Sequence, residues 1–164
     1  MAEKEITYDI EGYEVVTNAI MNLLNDYPDT DERITFNSLS EEEGTTMYPT
    51  AGAVVINEKT DVIGVIAQKC NYPFMVIYRA SGLSEINRIR AKEMLDNLGK
   101  WLEKQKVVIG NEEYKLSEYP SLTNGRKIIS IKRTTPAYLY DMKENRTEEW
   151  AIAITLEYEY SYTK

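Results

Sequence analysis

Two long segments of the chain repeat their apolar residues at the spacing of an α-helix. The first runs from about Ile10 to Asn25 and is followed by Pro28, which lacks the amide hydrogen that a helix interior needs. The second runs from about Glu85 to Gln105 and follows Ser84, a residue type that caps helix N-termini well. We predict one amphipathic helix over each segment.

Between these helices, four short runs rich in β-branched and aromatic residues predict strands. The runs are Arg33–Ser38, Gly52–Asn57, Val62–Gln68 and Phe74–Tyr78. Turn-forming residues separate them, and the last run begins directly after Pro73. Short strands joined by turns are typical of an antiparallel meander.

Two further strands are predicted after the second helix. Lys127–Arg133 is one, and the end of the chain is the other, with the strongest alternation in the sequence. Every even position from Trp150 to Tyr162 is apolar or aromatic, and the odd positions between them are small or polar. This period of two predicts a long, half-buried antiparallel strand with its apolar side inward. Val107–Ile109 is compatible with a short strand, but Asn111, Pro120, Asn124 and Gly125 favour a connecting loop over residues 106–126. The polar segment 134–148 also favours a loop.

The predicted order is therefore one helix, four strands, a second helix and two strands. Antiparallel strands with helices segregated to one side form an α+β layer architecture. We expect a single domain over residues 1–164, with about six strands in one antiparallel sheet and both helices packed on one face. A chain of this length can bury a core without disulfides or a structural metal.

The residue types present exclude several classes of function. The chain contains no histidine and one cysteine, Cys70, which is interpreted as a structural thiol. Ser-His and Cys-His nucleophiles are therefore excluded, and a zinc site would consist almost wholly of carboxylates. No GxxxxGK or GxGxxG motif for phosphate binding occurs. We predict a protein that is not an enzyme and that has no cofactor and no metal site.

The sequence also favours synthesis in a reducing cytoplasm. Met1–Glu5 lacks the basic-then-apolar layout of a secretion signal, and no apolar run reaches the length of a transmembrane helix. With one cysteine, the chain forms no internal disulfide. We therefore expect no association with a membrane.

Negative charge is concentrated at the start of the chain. Residues 1–32 contain nine acidic residues and one basic residue, whereas residues 33–164 contain eighteen of each. The first segment therefore carries the whole net charge of −8. Because binding to phosphates needs clustered Lys and Arg, a grip on nucleic acid is disfavoured. Two interpretations remain open: the acidity aids solubility, or an acidic surface keeps passing DNA from adhering.

Tyrosine is unusually frequent, with thirteen residues against two phenylalanines. Three tyrosines share one face of the predicted last strand, and others lie in the segment before it. Acidic neighbours at Glu157 and Glu159 disfavour a stacking platform for single-stranded nucleic acid. An amphipathic rim of the core and a protein–protein interface both remain possible. The candidate interface residues are Pro136, Tyr138, Tyr140, Tyr158, Tyr160 and Tyr162.

Carboxylates offer the remaining route to catalysis or metal binding. Asp26, Asp29, Asp31 and Glu157 are available, but nothing in the sequence brings any two of them together. The run Glu41–Glu43 is interpreted as a solvated loop, because adjacent loop residues do not form a cage around a cation.

Three stretches in the middle of the chain resemble a group of phage and prophage proteins from Gram-positive hosts. They are Val62–Ala67, Tyr72–Tyr78 and Met94–Glu103. Those proteins are described as minor capsid or tail terminator components. In them a leading helix, a β-meander, a helix ending in a Leu-Gly-x-Trp-Leu pattern and a long final strand occur in the same order. Here that pattern is Leu98–Leu102, and the order covers nearly the whole chain.

The resemblance implies a structural virion protein of a long-tailed phage, made in the host cytoplasm. Tail terminators form a ring, commonly a hexamer, on the last ring of the tail tube at its head-proximal end. They stop tube growth and present a surface to head-completion or connector proteins, while DNA passes without specific binding. The family has no catalytic residues. The alternatives are a head–tail connector or head-closure component, a small enzyme using carboxylates alone, and a monomeric binding module.

Overall fold

The computed structural model describes residues 6–29, 33–37 and 44–163. Within these ranges the chain forms two helices and ten strands. The helices are α1 (Ile10–Asn25) and α2 (Glu85–Leu102). The strands are β1 (Thr7–Tyr8), β2 (Thr35–Phe36), β3 (Gly44–Pro49), β4 (Val54–Thr60), β5 (Val65–Ser81), β6 (Val107–Ile109), β7 (Glu112–Tyr114), β8 (Arg126–Arg133), β9 (Tyr138–Met142) and β10 (Thr147–Thr163). The predicted α+β class is confirmed, but the strands outnumber the six expected.

Two strands of seventeen residues, β5 and β10, form the centre of the sheet. They pair antiparallel along their whole length, from Thr147 opposite Ser81 to Thr163 opposite Val65. β3 and β4 follow one another along the outer edge of β5, and β8 and β9 do the same along β10. β1 pairs antiparallel with β4, and β2 pairs with β3 in parallel. β6 and β7 form a separate small hairpin.

The expectation of separate strands at Val62–Gln68 and Phe74–Tyr78 is wrong, since Val65–Gln68 and Phe74–Tyr78 both belong to β5 and residues 62–64 form the turn before it. Pro73 lies between them and cannot donate a ladder hydrogen bond. Its carbonyl accepts a hydrogen bond from the amide of Thr50, on the side where β3 ends at Pro49 and β4 begins at Val54. In an antiparallel strand, the backbone nitrogen and carbonyl of one residue point toward the same neighbouring strand. The nitrogen of Pro73, which carries no hydrogen, therefore also faces the junction between β3 and β4 and not β10. The ladder with β10 therefore continues past the proline.

Other strands were missed or misplaced because their residues pair with a neighbouring strand without alternating between buried and exposed positions. The predicted loop 134–148 contains β9, whose five residues are all exposed, so its pattern carries no inside–outside alternation. The predicted loop 106–126 contains the three-residue strands β6 and β7. β4 extends to Thr60 through polar positions that pair with β5. β3 was not predicted, and of the predicted strand Arg33–Ser38 only two residues are β2, with Ser38 outside the described ranges.

The helices agree closely with the sequence pattern. α1 has the predicted bounds, and Asp9 caps it by accepting a hydrogen bond from the amide of Gly12. Ser84 caps α2 as predicted, through the amide of Asn87. α2 ends three residues before the predicted Gln105, because Lys104 adopts a left-handed φ of 63° that stops the helix.

Both helices contribute to one apolar cluster with the even-numbered residues of β5 and β10. The predicted alternation of the last strand is confirmed for its central part, where the even positions are buried. Gly99 lets α2 approach the sheet, because a Cβ there would collide with the side chains of Arg133 and Ile152. The members of the cluster on these four elements are Val16, Ile20, Leu23 and Leu24 of α1, Leu95, Leu98, Trp101 and Leu102 of α2, Cys70, Tyr72, Phe74 and Val76 of β5, and Ile152, Ile154, Leu156 and Tyr158 of β10.

Two isoleucines of β8 provide a matched test of this packing. Ile131 is 1% exposed within the cluster, whereas Ile129 is 41% exposed. Ile131→Ala should lower the free energy of unfolding by about 2–5 kcal/mol, because it removes methyl groups from a packed interior. Ile129→Ala should change it by less than about 1 kcal/mol. Denaturant unfolding followed by circular dichroism measures both, and equal losses would contradict the described packing.

Candidate interaction surface

The six candidate tyrosine and proline positions lie in two places in the fold: a first group on and before β9, and a second group on β10. Pro136, Tyr138 and Tyr140 are exposed on and before β9. Tyr158 is completely buried in the core, which corrects its prediction as an interface residue: it has no surface to offer a partner. Tyr160 and Tyr162 are half-buried and stack on one another, with ring centroids 4.9 Å apart. The first group is therefore the better candidate for contact with another protein.

β9 is an edge strand that carries large apolar side chains. One of its edges pairs with β10, and within the described part of the chain no strand pairs with the other edge. We call its four large exposed residues the β9 surface: Tyr138, Leu139, Tyr140 and Met142. An unpaired edge is a template for pairing with another chain, and exposed aromatic side chains add contact area. β9 thus combines backbone and side-chain features of a docking strand.

Polar anchors, rather than burial of its own side chains, hold β9 in position. Before the strand, the amide of Ala137 donates to Asp96 of α2 at 2.7 Å, and the amide of Thr134 donates to the carbonyl of Ala153 at 2.9 Å. After it, the amide of Lys143 donates to the carbonyl of Thr147 at 2.8 Å and closes the turn into β10. Both ends of β9 are therefore fixed to the rest of the fold.

Two ion pairs stabilise the start of β10, beside β9. Glu148 is buried and accepts from Arg88 of α2 at 3.0 Å. Glu149, also buried, accepts from Arg79 of β5 at 2.6 Å. Buried carboxylates with charged partners are costly to separate, so the strand that supports β9 is held from both faces of the sheet.

The other end of β10 takes part in a buried ion pair. Arg126 donates from Nε and Nη2 to the two carboxylate oxygens of Asp9, at 2.9 and 2.7 Å. Tyr158 donates its hydroxyl to Asp9 at 2.8 Å, and Asp9 also caps α1 through the amide of Gly12. The guanidinium carbon of Arg126 lies 3.9 Å from the ring centroid of Tyr160. One carboxylate therefore connects α1, β8 and β10.

This environment shifts the pKa values of the groups within it. Burial alone would raise the pKa of Asp9, but the hydrogen bonds from Arg126, Tyr158 and the amide of Gly12 outweigh it, so the pKa lies below its ordinary value. Burial, together with the hydrogen bond to Asp9, raises the pKa of Tyr158. Burial also raises the pKa of the Cys70 thiol to about 11, which agrees with a structural thiol and not a nucleophile.

The acidic start of the chain is only partly available as a surface. Asp9 is neutralised by Arg126 in the interior. Glu11, Glu14 and Asp26 are exposed. Glu3, Glu5, Asp31 and Glu32 lie outside the described residues, as does the predicted solvated loop Glu41–Glu43.

A cleft of about 700 Å³ lies between α2, the residues that follow α1 and the β6–β7 hairpin. Its described lining includes the apolar side chains of Leu83, Met94 and Val108, the polar side chain of Asn87 and the charged side chains of Asp29, Arg90 and Glu93. Among the described residues, no three Asp, Glu or Cys side chains gather closely enough to hold a metal ion. Neither α1 nor α2 combines the length and apolar character that crossing a bilayer requires.

Comparison of the chain with protein-family models gives no match, and comparison with curated proteins gives none either. The resemblance to tail terminators therefore depends on the three stretches between Val62 and Glu103 and on the order of the elements.

The buried ion pair predicts how stability depends on charge and pH. Asp9→Asn should lower the free energy of unfolding at neutral pH by about 3–5 kcal/mol, because Arg126 would stay buried without a counter-charge. Glu14→Gln, an exposed neutralisation in the same helix, should change it by less than about 1 kcal/mol. Denaturant titration of the three proteins measures these differences, and equal effects would contradict the described pair.

The sign of the pH dependence follows from the lowered pKa of Asp9. Its contribution is fully present above the ordinary value of 3.8 and is lost as the pH falls through the lower folded-state pKa. The wild-type protein should therefore lose more stability over this acidic range than Asp9→Asn does. Thermal unfolding across the range compares the two, and parallel curves would oppose the assignment.

Proposed function

We propose that the chain is a tail terminator, or a closely related tail-completion protein, of a long-tailed phage. In this role it forms a ring, commonly of six copies, on the head-proximal end of the tail tube. The ring terminates tube growth and docks the head-completion or connector proteins. The partners are other copies of this chain, the tail tube protein and a head-completion protein, and the location is the virion after synthesis in the host cytoplasm.

The observation that carries the proposal is the β9 surface on an open sheet edge. Edge strands bind other proteins by adding a strand, with the backbone supplying affinity and the side chains supplying specificity. Because hydrogen bonds at both ends hold β9 in position, binding orders little additional chain and loses little entropy. A rigid, apolar docking edge suits a protein whose task is assembly.

The charges on the face of the sheet opposite the helices support a passive role toward DNA. Glu159 of β10 lies between Lys69 of β5 and Lys127 of β8 in the strand register. Base, acid and base therefore alternate across three strands, and this arrangement makes no basic groove. Tight binding of nucleic acid needs clustered Lys and Arg, so DNA would pass without being gripped.

The arrangement of the candidate carboxylates favours the structural role over the enzyme alternative. Asp26 and Asp29 follow α1, on the helix side of the sheet. Glu157 is at an odd position of β10, so it faces the opposite side, and Asp31 lies outside the described residues. Glu157 therefore cannot flank the same bond of a substrate as either aspartate, although Asp29 and Glu93 of α2 both line the cleft beside α2.

Locating the protein in an assembled particle tests the proposal. In a phage that encodes the chain, a tagged copy should form one ring between the tail tube and the head. Removing its gene should give tails of irregular length that do not join heads. A position within the head-closure ring would instead identify a connector component, and absence from the particle would contradict both structural roles.

Charge introduced on the β9 surface should impair assembly without unfolding the protein. Tyr140→Asp should reduce head–tail joining in a complementation assay by at least about tenfold, since exposed aromatic residues often dominate binding energy. Ile129→Asp places the same charge at another exposed position, on β8, and should leave joining nearly intact. Normal joining by a folded Tyr140→Asp protein would contradict a role for β9.

A further inference from the structure

The sequence contains one Asn-Gly pair, Asn124–Gly125, and it lies in the turn that leads into β8. Both residues are exposed, and both adopt left-handed φ angles, of 59° and 78°. Asn and Gly are residue types that tolerate this region. The pair therefore suits the turn. It is also chemically vulnerable, because glycine has no side chain to stand between the asparagine amide and the next backbone nitrogen.

The fold requires glycine at position 125. The carbonyl of Gly125 accepts a hydrogen bond from the amide of Ser161 at 3.0 Å, so the turn lies directly against the end of β10. A Cβ at this position would collide with the carbonyl oxygen of Ser161, and the φ of +78° would strain any other residue type. Another residue therefore cannot shield the amide of Asn124 without straining the turn.

The side chain of Asn124 is held by α1. Its Nδ2 donates a hydrogen bond to Oε1 of Glu11 at 2.8 Å. Glu11 follows Asp9 closely at the start of α1, and Arg126 follows Asn124 closely at the start of β8. The contact therefore connects the same helix and strand as the buried pair of Asp9 and Arg126, but at the surface.

The folded turn keeps the two groups that react in deamidation apart. The reaction begins when the backbone nitrogen of Gly125 approaches Cγ of Asn124. In the left-handed region ψ is typically about +47°, which places the Cβ of a residue and the following nitrogen on nearly opposite sides of the Cα–C bond. The turn must therefore open before the reaction, and the hydrogen bond to Glu11 must break.

We propose that Asn124 is a site of spontaneous deamidation and that its hydrogen bond to Glu11 restrains the reaction. When the turn opens, the nitrogen of Gly125 attacks Cγ of Asn124 and forms a cyclic imide. The Cγ–Nδ2 bond breaks, and Nδ2 leaves as ammonia with the proton of the glycine nitrogen. Water then opens the imide at either carbonyl carbon, which gives aspartate or isoaspartate. Water is the one co-reactant, and no oxidant or reductant takes part.

Either product disturbs the turn. Aspartate places a second carboxylate against Glu11, where the amide had donated a hydrogen bond, and like charges repel. Isoaspartate adds a methylene group to the backbone of the turn, which displaces the carbonyl of Gly125 from the amide of Ser161. The next residue is Arg126, so the damage occurs beside the ion pair that connects α1, β8 and β10.

Mass spectrometry of incubated protein tests the site and its restraint. Folded wild type, Glu11→Ala and Glu11→Gln are kept at mildly alkaline pH, and trypsin then releases residues 116–126 as one peptide. Its conversion to aspartate and isoaspartate forms gives the rate. Glu11→Ala should react about 2–10 times faster than the wild type, since one hydrogen bond contributes modestly to closing the turn. Glu11→Gln keeps an acceptor oxygen and should react at close to the wild-type rate.

Two controls complete this experiment. Wild-type protein unfolded in urea should react faster than folded protein, because the turn no longer separates the reacting groups. Glu14→Ala changes another exposed acid of α1 and should leave the rate unchanged. An unmodified residue 124 in the unfolded chain would overturn the site. Equal rates for folded wild type and Glu11→Ala would overturn the restraint by Glu11.

The modified protein provides a second measurement. It carries an additional negative charge, so ion exchange separates it from the wild type. Its melting temperature should be lower by at least about 2 °C, the shift expected for loss of one hydrogen bond in a domain of this size. An equal melting temperature would overturn the expected damage to the turn. Both measurements use the purified chain alone, so their outcome is independent of the proposed role in the virion.

Discussion

The pairing of β5 with β10 is the constraint on which the rest of the fold depends. Seventeen residues of each strand meet without a break, so one register fixes every position of the two central strands, while the pairs of β10 with β8 and β9 and of β5 with β4 each contain a register shift. Because side chains alternate along both strands, even-numbered residues of both face the helices and odd-numbered residues face away. A slip of one residue would move the whole apolar set of a strand to the wrong face. The shorter strands, the helices and the hairpin tip all take their positions from this pair.

Buried ion pairs connect the two ends of the central strands to the rest of the fold. At one end, Asp9 and Arg126 connect the first helix to the last strands. At the other end, Glu148 and Glu149 connect the start of β10 to α2 and β5. The sheet is therefore fixed near both of its ends, and it carries the β9 surface near one of them. A contact element on a rigid sheet is suited to assembly, because a partner can join without reorganising the protein.

The sequence pattern predicted an element correctly wherever the buried residues of that element repeat at a regular period. α1, α2 and β10 have long apolar repeats, and the structure has them at nearly the predicted bounds. β9 and the outer half of β4 were missed because their residues are exposed on both faces, so hydrogen bonding to a neighbour defines them without any apolar alternation. Pro73 suggested a break that the sheet avoids, because the missing donor faces a gap between two strands.

The exposure of the candidate contact residues also could not be predicted from the sequence alone. Tyr138, Tyr140 and Tyr158 are indistinguishable by residue type, yet two are exposed and one is buried against Asp9, a partner 149 positions away in the chain. Val62 and Ile63 looked like strand residues because they are β-branched, and pairing alone reveals them as a turn. Contacts between residues far apart in the chain determine which side chains are exposed, and one sequence alone does not reveal those contacts.

The central claim is that this chain works by assembling with copies of itself. Native mass spectrometry of the purified protein, alone and with tail tube protein, tests it most directly. The account predicts one closed species whose mass is a fixed multiple of 18.9 kDa, alone or on contact with tubes. A monomer under both conditions, at every concentration, would contradict it.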